Sequence, residues 1–148
     1  MTYYSIGEVS KITGITISTL RYYDKEGLLP GIDRSEGGIR KFTDNELGAI
    51  KVIECLKSSG LSIKDIKRFM DWTKEGDTTL EQRRELFFSS LEVVKEQMKE
   101  IEQTMAMLRY KCWYYDTAVA LGSEAMVKDM PLDQYPAEIR ELAKAFHS

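Results

Sequence analysis

Few residues in this chain are of the types that do covalent or metal chemistry. There is one histidine, His147, and two cysteines, Cys55 and Cys112, 57 positions apart. Soft metals are held by two or three thiolates at close range, and no CxxC spacing supplies them. No serine or cysteine has a histidine placed to act as its base, so neither catalysis nor a metal or cofactor is expected. Nothing resembles an export leader or a membrane span, which implies a cytoplasmic protein with free thiols rather than a disulfide. Cys55 lies in VIECLKSSG. Lys51 and Lys57 stand where they would favour its thiolate, the reactive form, and Glu54 where it would oppose it. Cys55 is therefore either a reactive thiol or a small packing residue.

A second group, Thr16, Ser18, Thr19, Arg21, Tyr22 and Tyr23, suits hydrogen bonding to a polyanion. Arginine pairs with guanine edges, and hydroxyls pair with bases or phosphates. The competing role for Arg21 is a salt bridge to Asp24, and Tyr23 is divided between the outer face and the core. The elements that must carry these residues are short. Ser5 with Glu8 forms a capping box that opens a helix whose Ile6, Val9 and Ile12 share a face, and Gly14 breaks it. Thr16 is the next N-cap, for a helix from Ile17 to about Lys25 that ends at Gly27, with Ile17, Leu20 and Tyr23 inward. Two short helices around a glycine turn, the second with an Arg and Tyr face, read as a helix-turn-helix, or else as two ordinary helices of a small α domain.

Downstream, Leu28-Leu29-Pro30 leaves the helix extended, since the residue before a proline avoids the helical region. Ile32–Arg34 and Ile39–Phe42 can pair around Ser35-Glu36-Gly37-Gly38 as a hairpin, and Met1–Tyr4 suits a short strand. Thr43 and Glu46 form a second capping box for a helix reaching about Ser59. Ser62 caps another helix, with Asp65 at its third position and Ile63, Ile66, Phe69 and Met70 inside, and Gly76-Asp77 ends it. The free amides at Ser62 could hold a phosphate, with Lys64 adding charge.

The wording of this half is specific. SIGEVSKITGITISTLRYYDKEGLLP, then GGIRKF, then CLKSSGLSIKDIKRF resembles the N-terminal domain of MerR-family transcription regulators, over about residues 2 to 75 without a gap. The resemblance implies a mainly α winged helix-turn-helix, with RYY-x-x-x-GLL-P closing the recognition helix and entering the first wing. It places Tyr22 and Arg40 at the DNA backbone. A cysteine in the segment holding Cys55 is similar to that of aldehyde- and electrophile-responsive members. The implied partners are double-stranded promoter DNA, a second copy of the chain and RNA polymerase. The implied mechanism is activation by distorting an overlong promoter spacer.

Beyond residue 76 the pattern changes. Phe87, Leu91, Val94, Met98, Ile101, Met105, Leu108, Cys112 and Tyr115 are spaced alternately by 4 and 3, with no Gly or Pro between Thr78 and Thr117. Such a seam on a helix roughly 60 Å long, at ~1.5 Å per residue, needs a partner of similar length. A coiled-coil homodimer is expected, and the resemblance implies an antiparallel one. Cys112 on the seam is expected to be covered. Residues 118–148 are too few to enclose a drug-sized pocket, and a last helix after Pro136, with Ile139, Leu142, Ala143 and Phe146 on one side, would cap the dimer or pack across the coiled coil. The expected division is thus 1–75, 76–117 and 118–148.

Charge alone does not argue for nucleic acid. The net charge is −3; residues 1–75 hold 12 Lys/Arg against 11 Asp/Glu, and residues 76–148 hold 9 against 13. Placement of the cations has to carry the reading. Two other classes stay open on the sequence: a winged-helix architectural DNA-binding protein, and a coiled-coil interaction module that does not touch DNA.

Overall fold

The computed structural model describes residues 2–31, 33–34 and 40–147. Two compact units divide the chain, Met1–Val94 and Lys95–Ser148. The first unit begins with α1 (Ile6–Thr13), whose Ser5 cap takes the Glu8 amide while the Glu8 carboxylate takes the Ser5 amide. Gly14, at φ 76°, turns the chain in the left-handed region that a side chain would strain. α2 (Ile17–Lys25) follows, capped by Thr16, whose hydroxyl accepts the Thr19 amide at 3.2 Å.

A short antiparallel ladder joins β1 (Asp33–Arg34) to β2 (Arg40–Lys41), pairing Asp33 with Lys41 and Arg34 with Arg40. Tyr4 bridges Phe42 beside it, so the N-terminal segment closes on the hairpin. The expected turn Ser35–Gly38, with Ile32 and Ile39, lies outside the described residues. α3 (Asp44–Ser58) starts at the second capping box. Glu46 is only 4% exposed, a costly place for a carboxylate unless it is hydrogen-bonded. It accepts from the Thr43 amide at 2.6 Å and from the Thr43 hydroxyl. α4 (Ile63–Glu75) starts at Ser62, whose hydroxyl accepts the Asp65 amide. A 3-10 turn, Asp77–Thr79, leads into α5 (Leu80–Leu121), a helix of 42 residues. Arg83 closes that corner, donating to the Gly76 carbonyl at 2.9 Å and to the Thr79 hydroxyl at 3.1 Å.

The core of this unit collects Leu20 and Tyr23 from α2, Phe42 beside β2, Ile50, Ile53 and Leu56 from α3, and Ile66 and Phe69 from α4. Two residues assigned inward by periodicity are not enclosed. Ile12 is 59% exposed, at the mouth of an open groove of about 390 Å³ against Leu47 and Ile50. Ile17, the first residue of α2, is 37% exposed, and Leu20 one turn later takes the core position. A nine-residue helix has too few turns for three layers of contact, so its opening residue stays at the rim.

In the second unit the tail folds onto the last turns of its own α5. α6 (Glu124–Lys128), a 3-10 turn at Leu132–Gln134 and α7 (Ala137–His147) enclose Tyr110, Tyr114 and Ala118. Val127, Ile139 and Ala143 complete this core. Trp113 and Tyr135 meet with ring centroids 4.5 Å apart, and the Tyr114 hydroxyl donates to Glu124 at 3.0 Å. Arg140 holds the intervening turn by donating to the carbonyls of Leu132, Asp133 and Tyr135.

Leu20 is fully buried and Ile17 is not. Leu20→Ala should therefore destabilise the first unit by about 2–5 kcal/mol, against under ~1 kcal/mol for Ile17→Ala. Urea unfolding followed by circular dichroism measures both; equal losses would place Ile17 in the core.

Candidate nucleic-acid interface

The residues chosen for hydrogen bonding fall on two sides of α2. Ser18, Arg21 and Tyr22 are exposed, Tyr22 with 45% of its surface open, and Thr19 is half-buried. Thr16 caps the helix and donates to the Thr19 hydroxyl at 2.9 Å, which fixes two small polar side chains at the opening of that face. Tyr23 is different: at 1% exposure it belongs to the core and offers nothing to a groove. Three residues separate Leu20 from Tyr23, and that i, i+3 pair is the buried stripe of α2. Ser62 and Lys64 lie exposed at the opening of α4, and Arg40 is in β2.

The phenol of Tyr23 reaches through the core edge to α3. Its hydroxyl donates to Glu54 Oε1 at 2.5 Å and accepts from Lys57 Nζ at 2.7 Å. Lys57 Nζ also lies 3.7 Å from Glu54 and 5.2 Å from the centre of the Tyr23 ring. α2 is thus tied to α3 by a three-residue polar network beside Cys55, which is exposed. Sequence reading placed Glu54 and Lys57 only as neighbours of the thiol; a contact across 31 positions left no local pattern to find it by. Burial first, and the Glu54 hydrogen bond next, push the Tyr23 hydroxyl above its ordinary range, against the lowering effect of Lys57. Lys57 is raised in turn, chiefly by its hydrogen bond to Tyr23.

Other chemistry is sparse. Among the described residues no group of three His, Cys, Asp or Glu could hold a metal ion, and no helix is long and apolar enough to cross a membrane. Cys112 is exposed in the single chain, not covered. An open groove of about 790 Å³ runs between α4 and the start of α5, floored by Leu61, Trp72 and Leu86 and rimmed by Asp65, Arg68 and Glu85.

A helix-turn-helix with an Arg/Tyr outer face, a small hairpin and a long following helix define a class of DNA-associated regulators. Comparison with known proteins gives the family. Residues 4–73 match the model described as MerR HTH family regulatory protein. An uncharacterized HTH-type transcriptional regulator of Haemophilus influenzae is 46% identical over 136 residues, which is 92% of this chain and 98% of the relative. The regulator AdhR of Bacillus subtilis is 37% identical over 82 residues, 55% of this chain and 59% of its own. The crystal structure of HiNmlR, a MerR family regulator lacking the sensor domain and bound to promoter DNA, is similar with a TM-score of 0.77 at 43% identity. It covers 84% of this chain and 99% of that one. The chain belongs to the MerR family of helix-turn-helix transcriptional regulators, in its NmlR- and AdhR-like branch.

The Tyr23 network has a pH signature. Both folded values lie above the ordinary ones, 10.0 for tyrosine and 10.5 for lysine. The stability they supply is therefore complete below those values and is lost as pH rises through the folded ones. Tyr23→Phe should cost about 0.5–1.5 kcal/mol at neutral pH, and the variant should lose less stability than wild type as pH rises above about 10. Urea midpoints across that range decide it; parallel curves would mean the hydroxyl contributes nothing.

Proposed function

We propose that the chain acts in the cytoplasm as a homodimer on a palindromic promoter site. It activates transcription there by reshaping the spacer between the two elements that RNA polymerase reads. The outer face of α2 carries this reading: it leaves Ser18, Arg21 and Tyr22 open to a groove while Leu20 and Tyr23 anchor the helix. In the major groove Arg21 would take a guanine edge, with Ser18 and Thr19 beside it. Tyr22, Arg40 of the hairpin, and Ser62, Lys64 and the free amides of α4 would hold phosphates and so fix orientation. HiNmlR, which shares this fold, is described as bound to promoter DNA. Two recognition helices and two wings on one duplex can repay a deformation of order 1–10 kcal/mol through phosphate contacts.

Dimerisation is supported by α5. Its seam residues are open in the single chain, Met98 at 60% and Ile101 at 61% among them. An apolar stripe of that length on one helix marks an interface. The pair is antiparallel in this reading, and the three working segments are the DNA-binding residues 1–75, the dimer helix 76–117 and the tail.

Cys55 is the proposed sensor. Its thiol is exposed on α3, in the same stretch as Glu54 and Lys57, which hold the recognition helix through Tyr23. A short aldehyde would add there as a hemithioacetal, the sulfur bonding to the carbonyl carbon and the thiol proton passing to its oxygen. The added bulk and hydroxyl on α3 would shift the balance between DNA-bound shapes without removing any phosphate contact.

Two measurements test the scheme. Arg21→Ala should weaken operator binding by about 1–3 kcal/mol and relax base preference at one position per half-site. Fluorescence anisotropy showing unchanged affinity would take α2 out of the groove. Cys55→Ser should bind the operator normally yet lose induction by short aldehydes in a reconstituted transcription assay, while Cys112→Ser keeps it. Full induction of Cys55→Ser would make Cys55 a packing residue.

A further inference from the structure

We infer that the two copies of α5 recognise each other through a single register, in which Lys95 of each chain faces Glu102 of the other. This rests on the antiparallel dimer proposed above and specifies its pairing. The exposed seam is longer than its nine heptad residues. Leu80, 52% exposed, continues it by one heptad at the start of α5, and Val119, 82% exposed, continues it at the end. The flank on one side of the seam carries Phe88, Lys95, Glu102, Arg109 and Asp116 at seven-residue intervals. In an antiparallel pair this flank meets its own copy, and such flanking charges choose partner and register.

Alignments that keep the seam in contact differ by one heptad. With Met98 facing the partner's Val94, Lys95 meets its own copy, and Tyr115 and Val119 pass the start of the partner's α5 at Leu80. Three other alignments overlap. In the first, Met98 faces the partner's Ile101, and Leu91 faces the partner's Leu108. Both ends then close, with Leu80 against the partner's Val119, and symmetry gives two Lys95–Glu102 pairs. Symmetry likewise gives two like-charged flank pairs, Glu81 with the partner's Asp116, and these fall near the outermost turns. In the second, Met98 faces the partner's Leu108, which sets Lys95 against the partner's Arg109 and Glu102 against its own copy, all repulsive. In the third, Met98 faces the partner's Tyr115. Flank charges match there too, but Leu91 meets the partner's Gly122, and Phe87 and Leu80 pass the end of the partner's α5 at Leu121. Leaving three large apolar side chains per copy in water outweighs surface ion pairs severalfold. The first register alone satisfies both the seam and the charges.

The test is a charge-swap cycle on the full chain, with dimer dissociation read by sedimentation and helix content by circular dichroism. Lys95→Glu and Glu102→Lys should each weaken the dimer by on the order of tenfold, since two pairs turn repulsive in each case. The double variant K95E/E102K should return to near wild-type affinity. In the second register Lys95→Glu would tighten the dimer, and in the third the double variant would be weaker than either single. In a parallel pair Lys95 meets Ser90 and Glu102 meets Gln97, so neither swap would matter. Any of these three outcomes overturns the register while leaving the dimer standing. A wild-type chain that sediments as a monomer at micromolar concentration would overturn the dimer reading itself.

Discussion

A helix of nine residues is not stable by itself in water, because nucleating it costs more than its few hydrogen bonds return. α2 exists only because Leu20 and Tyr23 are buried against α3 and the rest of the first core. That constraint decides everything about the face opposite. With positions 20 and 23 turned in, 18, 21 and 22 must turn out. The polar network from Tyr23 to Glu54 and Lys57 then fixes the roll of the helix, which hydrophobic contact by itself leaves loose. The outer face of α2 is therefore a by-product of how the helix is anchored, and its geometry is inherited from α3. A chemical event on α3 has a direct physical route to it.

α5 poses the opposite problem. It has 42 residues, ample for helix formation, yet between the first core and the aromatic cluster at Tyr110 and Tyr114 it carries an apolar stripe that is left exposed among the described residues. The tail does not relieve this, because α6 and α7 pack on the last turns of α5 and cover Tyr110, Tyr114 and Ala118 instead. Phe87 shows the division of labour most clearly: one edge meets Phe69 at 5.3 Å in the first core, and 41% of its surface is left open. The exposure of Cys112 in the single chain has the same origin, since that residue lies on the stripe.

Sequence patterns located the helices well wherever local chemistry terminates them. Capping boxes at Ser5/Glu8 and Thr43/Glu46, the Ser62 cap and the glycines at 14 and 76 all sit at helix ends. Those signals are local hydrogen bonds, so a few adjacent residues encode them completely. What stayed hidden was set by distant contacts. Nothing near Ile12 or Ile17 announces that they miss the core, because that depends on where α3 passes. Tyr23 was legible only as ambiguous until Glu54 and Lys57 were placed beside its hydroxyl. The fold of the tail escaped for the same reason: Val127 and Tyr135 have meaning only against the last turns of α5. Heptad spacing picked out a stripe whose residues are exposed in the single chain, while Leu80, a heptad before the run, and Val119, one step after it, were missed.

The weak overall charge, which spoke against a polyanionic partner, has a structural answer in how the acids of the first unit are engaged. Glu8 and Glu46 close capping boxes, and Asp44 accepts the Tyr4 hydroxyl at 3.0 Å. Asp65 sits in the first turn of α4, where the helix dipole favours it, Asp71 pairs with Lys67, and Glu54 holds Tyr23 and Lys57. The carboxylates of Glu8, Asp44, Glu46, Glu54 and Asp71 are thus committed to amides, hydroxyls or ammonium groups of their own chain. Arg21 stands on the open face of α2, and Lys64 lies exposed in the first turn of α4. A phosphate approaching these elements meets Arg21, Lys64 and the N-termini of α2 and α4 at close range. At physiological salt, charges more than about 8 Å away are largely screened, so it is this local arrangement and not the chain's net charge that a duplex would feel.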